Sequence, residues 1–389
     1  MEPRGQVALE AKSRLLLITE TFPPEVNGVS LTLGHLANGI SDFGWELEVL
    51  RPRQQSEPSA PCLTLGLPIP FYPTLRFGIA SPFRLLKRIR KVNPDLIHVA
   101  TEGPLGLIGL FAARYLNIPI LSSFHTNFDL YAEHYQIGFL KWLVSHYLKW
   151  FHNRTALTLA PSFHTIGRLE QMGIRDVKLW SRGVDTQLFH PKKRDEALRK
   201  SLDLGEEDVL VLYVGRLAQE KNLQSLIRAF EKTIASQKPG QTVKLALVGD
   251  GPEKESLEAL INPQILLTGQ QKGEDLARWY ASSDIFAFPS LSETFGNVVQ
   301  EAQASGLPVV AFQSPVMGER IENDKNGFLA QSPDEFQEKL QHLAYNPGDR
   351  VRLGQAAWKS VQEQSWINNI SQLNQTYRIV LASHQKVKS

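Results

Sequence analysis

One cysteine in 389 residues, Cys62, leaves no partner for an internal disulfide and no thiolate cluster for a metal, and such usage fits a reducing compartment. Charge of one sign is also lacking. The 42 Lys+Arg against 40 Asp+Glu give a net charge of only +2, and no nucleic-acid module is present, so nucleic acid is not an expected partner. Long hydrophobic runs are missing as well. The N-terminus MEPRGQVALEAKSR is polar up to Leu15 and lacks the apolar region of a secretory signal. The most apolar longer stretch, Leu105 to Phe124, is interrupted by Arg114, Asn117 and Pro119, which reads as helix then strand and not as a membrane span. A soluble or peripheral, cytoplasmic protein is expected.

What is present is a rhythm. Hydrophobic residues make up 42% of a chain too long for one ordinary core, which predicts two domains. Short β-branched or Leu-rich runs alternate with amphipathic stretches, the pattern of parallel sheets covered by helices. The first half reads as strands at Arg14 to Thr19, Trp45 to Leu50, Asp95 to Val99, Ile118 to Ser122 and Leu157 to Ala160. After a Gly-, Pro- and Lys-containing segment around Val184 to Arg194 the rhythm restarts, with strands at Val209 to Val214, Val243 to Val248, Ile265 to Thr268, Ile285 to Phe288 and Pro308 to Phe312. The expected division is 1–190 and 191–364, each a doubly wound α/β domain, with a helical tail over 365–389. Residues 1–190 carry 19 basic against 15 acidic side chains and the remainder 23 against 25, a mild basic bias in the first half.

In doubly wound sheets, ligands lie beyond the carboxyl ends of the strands, so the loops there carry the candidate residues. Glu293-Thr-Phe-Gly-Asn-Val-Val-Gln-Glu301 sets two carboxylates eight positions apart across a loop-to-helix turn. With a helix starting near Phe295, Glu293 faces the helix mouth and Glu301 lies two turns deeper. Acids so placed can hold a hydroxyl-rich ligand while the unpaired N–H groups hold an anion. A solvated acid followed by an ordinary helix has the same spacing. Arg216 and Lys221 lie between the strand ending at Val214 and a helix beginning near Asn222; the pair reads either as solvated or as a site for phosphate. Gly28, after the first strand, permits close backbone approach at a following helix, or is simply a turn glycine. His125, just past the strand at Ile118 to Ser122, suits a structural hydrogen bond or a ligand contact.

Taken together, ETFGNVVQEAQASGLPVVAF, Gly215-Arg216-Leu-Ala-Gln-Glu-Lys221-Asn222, Val248-Gly-Asp-Gly-Pro252, TETFPPEVNGVS (Thr19 to Ser30), SFHTNFDLY (Ser123 to Tyr131) and SRGVDTQLFHP (Ser181 to Pro191) resemble, in order and over nearly the whole chain, the family 4 glycosyltransferases. That resemblance implies the GT-B fold, with two Rossmann-like domains facing across a cleft and the tail crossing back onto the first. It implies a retaining enzyme that uses a nucleotide-diphosphate sugar as co-substrate and no other cofactor. Arg216 and Lys221 would then hold the diphosphate, where guanidinium and ammonium stabilise the charge that grows as the sugar bond breaks. Glu293 would bind the donor-sugar hydroxyls, with the amides of Phe295, Gly296 and Asn297 beside the diphosphate, and Glu301 the ribose hydroxyls. His125 would contact the donor sugar near the reacting carbon. Gly28 would approach the phosphates, although many family members carry two adjacent glycines where this chain has Asn27-Gly28.

The family mechanism is a front-face transfer in which the leaving phosphate takes the acceptor proton, so no separate protein base and no metal is expected. No Asp-x-Asp, the usual mark of metal-held nucleotide sugars in the other major transferase fold, occurs in the chain. The longer matches FHTNFDLYAEHY, WFHNRT, SRGVDTQLF and GLPVVAF look most like bacterial GDP-mannose-dependent α-mannosyltransferases and glycolipid hexosyltransferases. GDP-mannose is thereby ranked slightly above UDP-glucose or UDP-galactose. The family's Gly-Gly-Pro-like turn is replaced by Gln313-Ser-Pro-Val-Met-Gly318, which leaves the sugar contacts around Pro315 to Glu319 open. A nucleotide-sugar 2-epimerase and a non-catalytic sugar-nucleotide-binding protein are the other readings.

For the acceptor, Asp129 and Glu133 offer hydroxyl-binding carboxylates or ordinary helix-start acids. Ser81 to Lys91 interleaves five cations with Phe83, Leu85, Leu86 and Ile89, and Phe139 to Arg154 carries Trp142, Tyr147, Trp150 and Phe151 with Lys141, Lys149 and Arg154. Such helices suit an anionic membrane surface and a lipid-linked or glycolipid acceptor; they also suit a Rossmann covering helix with its aromatics in the core.

Overall fold

The structure is a computed structural model that describes residues 12–25, 27–53, 57, 63–69, 72–125, 138–236, 240–291, 293 and 295–388. It divides into two compact units, Met1–Ser181 with Ile367–Ser389, and Arg182–Trp366. The break precedes residue 190 because Val184 and Phe189 already bury in the second unit's core.

The first unit is built on eight strands: β1 (Ser13–Ile18), β2 (Trp45–Pro52), β3 (Leu63–Ile69), β4 (Tyr72–Ile79), β5 (Leu96–Val99), β6 (Ile120–Ser123), β7 (Thr158–Ala160) and β8 (Val177–Leu179). Their order is β4-β3-β2-β1-β5-β6-β7-β8, parallel except for the β3–β4 pair. β1 shows why its sequence is a continuous apolar run. Leu15 and Leu17 enter one core with Leu36 and Trp45, while Leu16 and Ile18 enter another with Leu85, Ile89 and Leu110. The helix Trp366–Lys388 belongs to the first of these cores through Ile370, Leu373 and Tyr377. Trp45 Nε1 donates to Asn374 Oδ1 at 2.8 Å.

The second unit holds β9 (Val209–Val214), β10 (Val243–Val248), β11 (Ile265–Gly269), β12 (Ile285–Phe288), β13 (Val309–Phe312) and β14 (Gly327–Ala330). All pair in parallel, in the order β11-β10-β9-β12-β13-β14. Every residue of β9 is buried, with Val209, Val211 and Tyr213 on one face and Leu210, Leu212 and Val214 on the other. In both sheets the order reverses beside the first strand, so each has a switch point, between β1 and β5 and between β9 and β12.

Four strands were not anticipated. β3 and β4 contain Gly66, Pro68 and Pro73, which argue against a strand; they lie at the sheet's edge, where a missing N–H breaks no central ladder. β8 and β14 are three and four residues long, too short to show a period.

Two of the sequence motifs turn out to be one packing unit. The loop after β10 lies on the loop after β9, with Leu217 N–H donating to the Asp250 carbonyl at 3.0 Å and Glu253 N–H to the Leu217 carbonyl at 2.9 Å. A Cβ on Gly249 would collide with the carbonyl of Gly215, and one on Gly251 with that of Leu217. Gly249→Ala should therefore cost about 1–3 kcal/mol by overpacking, measured by chemical denaturation. Gly348→Ala, where a Cβ meets nothing within 4 Å, should cost nothing.

Candidate active site

The site in the second unit grows from its switch point. After β9, Gly215 and Arg216 lead into Leu217 and Ala218, 0% and 2% exposed, which anchor the loop from below. Arg216 is left exposed and forms no ion pair among the described residues; its carbonyl accepts the Tyr213 hydroxyl at 3.0 Å. Lys221 closes a short 3₁₀ turn, and Asn222, in the left-handed region at φ +56°, redirects the chain into the helix Leu223–Ala235. Asn222 Nδ2 donates to the Pro289 carbonyl at 3.3 Å, tying this loop to the one after β12. There Glu293 meets Lys221, with Nζ 3.0 Å from Oε2 and both side chains about four-fifths buried.

The helix after β12 runs Asn297–Ala304, two residues later than expected. Gly296 precedes it at φ +83°, and a Cβ there would press on Met317 Cε at 2.8 Å. Glycine is thus required for the chain to turn from Phe295 into the helix. Phe295 itself is 1% exposed, so its amide, with those of Gly296 and Asn297, opens the helix while its ring fills the space below. Glu301 lies on the second turn and takes a different partner from Glu293: Tyr280 donates its hydroxyl to Oε2 at 2.9 Å. Removal from water pushes the Glu301 carboxyl up to about 7, and the Tyr280 hydrogen bond pulls the other way.

Two residues escaped the sequence reading. Arg182 and Arg320 both lie over the Phe295 ring, their guanidinium carbons 5.0 and 3.9 Å from its centroid. Arg182 Nη1 donates to Asn297 Oδ1 at 3.4 Å and Arg320 Nε to the Phe295 carbonyl at 3.4 Å. Burial pulls both guanidiniums down to about 10, against the opposing pull of Glu293 on Arg182 and of Glu319 on Arg320. Arg182 stood inside SRGVDTQLFHP and Arg320 next to the variant turn at Gln313–Gly318. Only the fold brings them to Phe295, from positions more than a hundred residues apart in sequence.

In the first unit Gly28 is the first residue of the helix Gly28–Gly39. Asn27, in the place of the family's extra glycine, caps that helix: its Oδ1 accepts from Val29 and Ser30 N–H at 3.1 and 2.8 Å, and the cap leaves the Gly28 amide aside. His125 follows β6 and sits edge-on to Trp180, ring centroids 5.6 Å apart. Trp180 is in turn 5.6 Å from His98, a fully buried imidazole that bonds Ser123 and, at 2.7 Å, the Tyr377 hydroxyl. Burial pulls His98 down to about 3, so it is neutral. Trp180 Nε1 donates to Asn369 Oδ1 at 3.0 Å. His125 thus rests on a ring stack held by the C-terminal helix. Asp129 and Glu133 lie outside the described residues.

Residues 26–188 match the model of Glycosyltransferase Family 4, and residues 208–346 that of Glycosyl transferases group 1. A GDP-mannose-dependent alpha-mannosyltransferase of Corynebacterium glutamicum is 34% identical over 96% of this chain and 91% of its own length. The chain belongs to the family 4 glycosyltransferases. An alpha-monoglucosyldiacylglycerol synthase of Acholeplasma laidlawii is 25% identical, over 86% of this chain and 89% of its own. Among solved structures, sucrose-phosphate synthase from Thermosynechococcus elongatus superposes with a TM-score of 0.75 at 20% identity, covering 96% of this chain and 100% of that one. The fold is therefore GT-B, and the chain is a glycosyltransferase.

For a family 4 transferase the raised Glu301 carboxyl has a pH consequence. Its ordinary value is 4.5 and its folded value about 7, so the carboxylate forms only as pH rises through 7, and in the ribose-holding role that the family resemblance implies it would then accept both hydroxyls. The KM for the nucleotide-sugar donor, which has no phosphate titrating in that range, should fall several-fold as pH rises from 6 to 8. Steady-state kinetics on Glu301→Gln should show the step abolished and KM high throughout.

Proposed function

We propose that this glycosyltransferase is a retaining hexosyltransferase that moves mannose from GDP-mannose to a lipid-linked or glycolipid acceptor. The observation that carries the donor half is the Lys221–Glu293 pair, 3.0 Å apart at the switch point and beside a helix N-terminus that glycine opens. A cation for the diphosphate and an acid for the sugar hydroxyls are held against one another before the donor arrives, so their geometry need not be assembled at the moment of reaction. Arg216, exposed and in no ion pair among the described residues, is the second diphosphate cation. The amides of Phe295, Gly296 and Asn297 face the same group, and Glu301 takes the ribose. In the first unit, His125 and Gly28 keep the roles that the family resemblance implies for them. Mannose is favoured because the relative called GDP-mannose-dependent is 34% identical and the glucosyldiacylglycerol synthase 25%. That second relative supports a UDP-glucose-dependent glycolipid synthase as the runner-up.

In the reaction the bond between the anomeric carbon and the diphosphate oxygen breaks, its electron pair leaving with the nucleoside diphosphate. The acceptor oxygen bonds to the same face of that carbon, and its proton passes to the departing phosphate oxygen. No metal is required, since the cationic side chains carry the leaving-group charge. A panel of nucleotide sugars assayed with EDTA and without acceptor should show slow hydrolysis of GDP-mannose alone, with configuration at the anomeric carbon retained. Hydrolysis of UDP-glucose instead would move the donor to the runner-up. Epimer formation, binding without turnover, or a strict need for divalent metal would each defeat the reading.

The lipid acceptor rests on the surface of the first unit. On the helix Pro82–Val92, Leu85 and Ile89 are core while Phe83 is 85% exposed beside the exposed Arg84, Lys87, Arg90 and Lys91. Of the aromatics between 139 and 154, Phe151 is core, Tyr147 and Trp150 pack partly against it, and Trp142 is 55% exposed. No helix among the described residues is long and apolar enough to cross a membrane. In this reading docking is peripheral, through Phe83, Trp142 and the exposed cations of the helix Pro82–Val92. The protein should float with vesicles containing phosphatidylglycerol at low salt and lose this in Phe83→Ser/Trp142→Ser; absence of flotation by the unaltered protein would remove the membrane claim.

A further inference from the structure

A buried guanidinium with no carboxylate at contact distance among the described residues has to be explained, and the second unit contains such a case next to the candidate donor site. Arg182 is 7% exposed, its Nε has no hydrogen-bond partner, and neither it nor Arg320 forms an ion pair among the described residues. A guanidinium in that state is costly unless something anionic completes it. The Phe295 ring, with Arg182 and Arg320 at 5.0 and 3.9 Å, gives only the weaker attraction of a π face. Both side chains also contact the chain where the helix Asn297–Ala304 begins, Arg182 at Asn297 Oδ1 and Arg320 at the Phe295 carbonyl. Two cations and the free N–H groups of one helix therefore converge on the same small region.

We infer that Arg182 and Arg320 form a second phosphate clamp, distinct from Arg216 and Lys221, that recognises the diphosphate of the donor from the helix side of the site. This rests on the donor reading above and adds two residues to it. The planar guanidinium suits the task, because its fork meets two phosphate oxygens at once. Phe295 fixes the two forks in place: its ring, 1% exposed, is the surface against which both lie. The glycine at 296 follows the same logic, since its left-handed backbone, which strains other side chains, sets the turn that carries Phe295 and Asn297. The clamp's selectivity is for the number of phosphates. It distinguishes a nucleoside diphosphate from a monophosphate and is indifferent to the base.

The test compares GDP with GMP by titration calorimetry. In Arg182→Gln and in Arg320→Gln the affinity for GDP should fall roughly tenfold to a hundredfold, the effect of losing a charge-assisted contact, while GMP binding stays as in the unaltered protein. Arg182→Lys, which keeps the charge and loses the fork, should fall between. An equal loss for GDP and GMP would mean that the arginines only shape the pocket around Phe295, and no loss for either would mean that they touch no ligand; both results overturn the clamp. Should Arg182→Gln fail to fold, Arg320→Gln and Arg182→Lys decide by the same criterion. If the unaltered protein binds UDP and not GDP, the donor base is wrong and the comparison is made with UDP and UMP. If it binds no nucleoside diphosphate, the donor reading fails with the clamp.

Discussion

Neighbouring strands β9 and β12 send their chains to opposite sides of one sheet, and neither connection can cross the gap above them. The second unit's candidate residues Lys221 and Glu293 lie on the loops that flank that gap. The loop that leaves β9 turns through Asn222 and the loop that leaves β12 turns through Gly296, each in the left-handed region. The two are tied by Asn222 to the Pro289 carbonyl and by Lys221 to Glu293. The sheet is fixed by two buried cores, one on each face, so the loops inherit a rigid base. Preorganisation here is a property of strand order before it is a property of any side chain.

The electrostatics follow from the same arrangement. Lys221 and Glu293 neutralise one another, whereas Arg182 and Arg320 are held from water without a carboxylate at contact distance among the described residues. Burial pulls both guanidiniums down against the fields of Glu293 and Glu319, and an anion bound beside them would offset that cost. Glu301, on the far side of the helix mouth, behaves in the opposite sense: burial favours its neutral form, and the Tyr280 hydroxyl keeps one oxygen oriented.

The parallel strands were legible because a strand buried on both faces reads as an uninterrupted apolar run, as in LLLI of β1 and VLVLYV of β9. The edge strands were not, since proline and glycine, which mark loops elsewhere, are tolerated at an edge. Among the candidate residues, those adjacent to a strand end could be proposed from position alone. Arg182 and Arg320 could not, because their significance depends on both meeting Phe295, a contact that only the folded second unit makes. Asn27 shows the reverse case: a departure from the family pattern that looked like uncertainty in a phosphate loop is a helix cap.

The C-terminal helix has a consequence for how the chain comes into being. Ile370, Leu373 and Tyr377 complete the core that Leu15 and Trp45 begin, and Asn369 and Asn374 bond the indoles of Trp180 and Trp45. During synthesis the second unit, Arg182–Trp366, is contiguous and can close as soon as it emerges. The first unit, although begun first, keeps part of its core open until the helix Trp366–Lys388 has been made. The same helix seats the ring contacts beneath His125, through Asn369 and the Trp180 indole.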